Sequence, residues 1–91
     1  MRDARLLFDD LHPVRLALLC YCMECVAHRM VKWGVEPHIN AMPPRDLVLL
    51  AAYLPPHVRV NVEREAIRRA EAENDHRVLA FLGVARKASA A

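Results

Sequence analysis

Glycine is scarce here, with two in 91 residues. Sandwiches and barrels need many tight turns, so the shortage argues against an all-β architecture and for helices. Two glycines also leave little from which to build a phosphate-cradling loop. Aromatic residues are only 5% of the chain although hydrophobic residues make up 55%. The core must therefore be Leu, Val and Ala, a composition suited to close helix packing. The only serine is Ser89, near the end. His12, with Asp9 and Asp10 nearby, and His76, beside Asp75, thus find no hydroxyl nucleophile placed to use them, and His38 and His57 are scattered elsewhere. No catalytic constellation or small-molecule substrate is expected.

Charge of one sign is lacking too. The net charge of +2 is too small to make phosphate-backbone contacts the default. The longest apolar run is broken by Arg15 and Glu24, leaving less than the roughly 20 residues a membrane span needs. Leu16 to Cys22 would be the apolar centre of an export signal, but Asp3, Asp9 and Asp10 spoil its basic flank. A lipoprotein box fails because the bulky Leu19 precedes Cys20. With three cysteines, an odd number, the expectation is a reduced, cytoplasmic protein.

The stretch that organises the chain is Pro13 to Trp33, which holds all three cysteines and the only tryptophan. Pro13 suits a first helical turn, Asp9 and Asp10 place negative charge before it, and Gly34 after Lys32 suits its end. A helix over 13–33 follows. Residues 35–43 form a loop. Pro44 and Asp46 open a second helix over about 44–54, apolar nearly all round through Leu47, Val48, Leu49, Leu50, Ala51 and Leu54, hence buried. Asn61 suits the cap of a third helix running to about Gly83 on the stripe Ile67, Ala70, Asn74, Val78, Phe81. On it Glu65 and Arg69, and Arg69 and Glu73, stand at i, i+4 spacing. The expected fold is a single all-α domain, a bundle of three helices or four if the third divides, with 1–12 as an N-terminal arm and 86–91 as a frayed tail.

Cys20, Cys22, Cys25 and His28 are four zinc ligands by type, and zinc would add folding free energy to a short chain. A regular helix argues against one shared ion, because a rise of about 1.5 Å per residue separates Cys22 from His28 by roughly 9 Å. Cys22, Cys25 and His38 match the first three ligands of a two-Cys, two-His finger, but the fourth would fall at Met42, Pro43 or Pro44. A Cys22–Cys25 redox pair lacks the preceding strand such motifs use. Zinc is thus the alternative, with no cofactor the leading expectation.

Apolar periodicity explains the same residues better. Leu16, Leu19, Met23, Val26, Met30 and Trp33 follow 3-4-3-4-3 spacing, an a/d seam. A second stripe, Val14, Leu18, Tyr21 and Cys25, follows 4-3-4 spacing well over 90° away. Two other helices can cover one side of the first helix, so the other calls for a second chain. The expected function is a non-enzymatic interaction or regulatory module, a homodimer or bound to a partner protein, of a genre common in bacteria and phages. Its interface draws on Val14, Leu18, Tyr21, Met23, Cys25, Met30 and Trp33. A further alternative is DNA binding through Arg64, Arg68 and Arg69, although Glu63, Glu65, Glu71 and Glu73 interleave with them.

Overall fold

Proline begins every long helix of this chain. In the computed structural model, which describes residues 3–34 and 39–84 and only the backbone of Asn40, α1 spans Pro13–Trp33, α2 Pro44–Ala51 and α3 Pro56–Glu73. Each opens with proline in its first turn, where the missing N–H costs no intrahelical bond and the fixed φ is already helical. A short α4 follows at His76–Phe81, and single 3-10 turns form at Ala4–Phe8 and Ile39–Ala41. The described residues are helical or irregular, with no strand among them.

α2 is the centre. Leu47, Val48, Leu49, Leu50, Ala51 and the following Leu54 are all 3% exposed or less, as expected of a helix apolar on every side. α3 packs most extensively on it, through Val62, Ala66 and Ala70, and α4 adds Val78 and Leu79. Residues 3–8 are more than an arm: Ala4, Leu7 and Phe8 are buried in the same core. The Arg45 guanidinium lies 4.6 Å from the centre of the Phe8 ring, donates to the Leu7 carbonyl at 3.3 Å and pairs with Asp10 at 2.8 Å. Arg77 similarly donates to the Leu6 carbonyl and pairs with Asp9. Those aspartates therefore anchor the N-terminal turn. The cap of α1 is instead His12, whose Nδ1 accepts from the Val14 N–H at 3.1 Å.

Three boundaries differ from the sequence expectation. α2 ends at Ala51, not Leu54, because residues 52–54 tighten into i, i+3 bonds before Pro55, which disfavours helical backbone at the residue it follows. Arg59 then donates to the Ala51 and Leu54 carbonyls at 3.0 and 2.9 Å, satisfying the end of α2. α3 starts at Pro56, so Asn61 lies inside the helix and caps nothing. Nor does α3 run to Gly83: Asn74 takes left-handed backbone at φ 56°, and Asp75 donates its N–H to the Ala70 carbonyl at 2.8 Å, a Schellman-type stop. The Asp75 carboxylate then caps α4 by accepting from the Val78 N–H. The expected tail at 86–91 and His38 lie outside the described residues.

Candidate interaction surface

Among the described residues, α1 makes its substantial helix contact with α2. At about 100° per residue, Leu16, Leu19, Met23, Ala27 and Met30 share one face. Met23 and Ala27 are buried there, and Leu16, Leu19, Cys20, Val26 and Met30 pack partly against the core. Val14, Leu18, Tyr21 and Cys25 lie about half a turn away. Val14 and Leu18 are each 61% exposed, Tyr21 is 66% exposed, and Cys25 is intermediate. At two-thirds exposure Tyr21 alone presents on the order of 100–150 Å² to solvent.

The residues named from the sequence for the interface therefore divide. Val14, Leu18, Tyr21 and Trp33 project outward and Cys25 sits at the surface margin. Met23, at 6% exposure, and Met30, packed on the core, belong to the fold. They share the 3-4 seam with Leu16 and Leu19, which also pack against the core. Trp33, at the last residue of α1, lies beside Lys32, whose Nζ stands 5.2 Å from the indole centre. Val31, 57% exposed, extends apolar surface along another flank and lies in neither stripe. Toward its C-terminal end the outer face turns basic, with exposed His28, Arg29 and Lys32.

The four candidate zinc ligands Cys20, Cys22, Cys25 and His28 stay on one unbroken helix and are not brought together. Among the described residues no three His, Cys, Asp or Glu side chains group as a metal site. Cys20 turns toward the core side, where with Tyr53 it lines one surface depression, while Cys22 is exposed on the opposite flank. The Tyr53 hydroxyl is held above its ordinary pKa, first by desolvation, then by the neighbouring Cys20 thiol and the Glu24 carboxylate. Arg5, Leu16, Cys20, Glu24 and Tyr53 line an open depression there. All three thiols are free.

The arginines of α3 are largely committed to the protein itself. Arg68 makes a two-pronged pair with Glu65, at 2.7 and 2.6 Å, and lowers that carboxyl's pKa by hydrogen bonding. Arg69 pairs with Glu73 at 3.4 Å and donates to the Ile39 carbonyl at 3.3 Å, so the Glu65–Arg69 pair expected from spacing gives way to Glu65–Arg68. Arg64 is exposed. No helix among the described residues is long and apolar enough to cross a membrane.

No protein-family model matches this chain, and neither a curated protein nor a solved structure matches it.

Proposed function

We propose that this protein is a non-enzymatic interaction module whose working surface is the outer face of α1. The observation that supports this is the stripe of exposed Val14, Leu18 and Tyr21 with half-buried Cys25, half a turn from the face that α1 gives to its own core. Contiguous apolar surface of this kind on a small protein marks a binding site for another chain. Leu18 and Tyr21 are its anchors, because a helix presents residues three and four apart as one ridge and aromatic anchors dominate interface energies. Met23 and Met30 hold α1 to its own core and orient the ridge. The three free thiols suit a reducing, cytoplasmic setting.

Sedimentation at high protein concentration, combined with crosslinked capture of bound protein, tests this. An assembled species that disperses when the ridge is changed supports the proposal. A strict monomer that retains no protein overturns it.

A further inference from the structure

We infer that the occupant of the outer face of α1 is a second copy of the same chain, lying antiparallel about a two-fold axis level with residues 19 and 20. This rests on the interaction reading above and assigns its partner, polarity and register. The seam Val14, Leu18, Tyr21, Cys25 has spacings of 4, 3 and 4, a sequence of intervals that is unchanged when reversed. Two such seams laid antiparallel bring Val14 level with Cys25 of the second copy and Leu18 level with its Tyr21. Each pairing occurs twice under the two-fold axis, giving four layers with no charged residue in them.

Charge selects this polarity. Continued along the same face, the seam reaches His28 and Lys32, with Arg29 beside them, and all three are exposed. A parallel pair would set each basic residue against its own copy, and like charges placed together disfavour an arrangement strongly. The antiparallel register carries the basic third of each α1 past the first turn of the other, toward the end of the helix that Asp9 and Asp10 precede in the chain. The Asp9 and Asp10 side chains are 71% and 55% exposed even while paired to Arg77 and Arg45, so their outer oxygens remain open to another cation. Geometry agrees, since the seam lies opposite the core-facing side of α1. Two copies can thus meet through their α1 helices with both cores outermost.

Size sets the strength. Val14 to Cys25 spans about 17 Å of helix, and the ridge falls short of the roughly 800 Å² per partner of a standard interface. The pairing is therefore a reversible association, and concentration governs its occupancy.

Engineered crosslinking tests polarity and register independently of whether the face binds anything. Val14→Cys is introduced with Cys20→Ser and Cys22→Ser, leaving Cys25 as the only other thiol, and the protein is treated with diamide. The antiparallel register predicts a covalent dimer in near-complete yield, with peptide mapping showing a 14–25 link. The parent with Cys25 alone should remain uncrosslinked, as should the Val14→Cys variant in which Cys25→Ser has been added. A Cys25–Cys25 dimer in the parent would establish a parallel pair and overturn the polarity. Efficient crosslinking of Tyr21→Cys to Cys25 with none from position 14 would show a shifted register and overturn the assigned one. Failure of every pair to crosslink, with a monomer mass for untreated wild type at high concentration, would overturn self-pairing while leaving capture of another protein as the separate test of the interaction reading. Circular dichroism of each variant before oxidation confirms that the helices are intact.

Discussion

Leu50→Ala probes the packing most sharply, because Leu50 is fully buried in a helix whose neighbours Leu47, Leu49 and Ala51 are buried with it. Removing a buried leucine side chain costs about 2–5 kcal/mol, more where the surroundings cannot collapse into the space. A helix packed on every side has little freedom to collapse, so a loss of about 3–4 kcal/mol is expected. Domains of this length have net stabilities of roughly 5–14 kcal/mol, so the change removes a large share of the total. At about 4–8 °C per kcal/mol for a small domain, the melting midpoint should fall by roughly 12–32 °C. Urea unfolding followed by far-ultraviolet circular dichroism measures it, with the midpoint lowered and the slope unchanged. The comparison is Val31→Ala on α1, where 57% of the residue is already exposed and the cost should stay within about 0.5 kcal/mol. Equal losses at the two positions would refute α2 as the centre of the core.

Asn74→Val should cost about 1–2 kcal/mol in the same assay, because a β-branched residue resists the left-handed backbone at φ 56°, whereas Asn74→Gly should be nearly neutral; equal effects would contradict the stop between α3 and α4. Arg59→Ala should lose about 1–3 kcal/mol through its two bonds to the Ala51 and Leu54 carbonyls, and Arg59→Lys should recover only part of that. The Arg45 guanidinium holds the Asp10 carboxyl below its ordinary value of 3.8, mainly by hydrogen bonding. A depressed folded value contributes stability that is present above 3.8 and lost as pH falls through the lowered one. The stability difference between wild type and Arg45→Met should accordingly shrink on acidification below 3.8 without vanishing, since the contacts to Phe8 and the Leu7 carbonyl do not titrate. A difference that grew in acid would contradict that linkage.

Periodicity carried most of what the sequence could convey. The 3-4 seam marked one side of α1 as apolar and the second stripe as another, but Met23, expected at the interface, is buried in the core while Trp33 of the same seam stands outside it; the all-round apolar character of 44–54 marked α2 as buried. Punctuation was harder. The stripe from Ile67 to Phe81 reads as one helix because the turn between α3 and α4 keeps Ala70 and Val78 on the same buried side. The adjacent Asn74 and Asp75, a left-handed former followed by a helix cap, were the local signal for the break. Pro56 competed with Asn61 for the start of α3 and prevailed because proline needs no N–H there. The burial of Leu7 and Phe8 was not legible locally: it depends on Arg45 and Arg77, far along the chain, holding the N-terminal turn in place. As for the surface, charge discriminates core from exterior on α1 only near its end, so Met30 could be assigned to either side until α2 was in position.

The central claim, that the outer face of α1 serves binding and not folding, is tested most directly by the unfolding free energy of Leu18→Glu in dilute solution, measured beside its mass at high concentration. The account predicts unfolding within about 0.5 kcal/mol of wild type, as for an exposed position, together with loss of the associated species proposed for wild type. A dilute Leu18→Glu chain destabilised by several kcal/mol, or one that associates as wild type does, would contradict it.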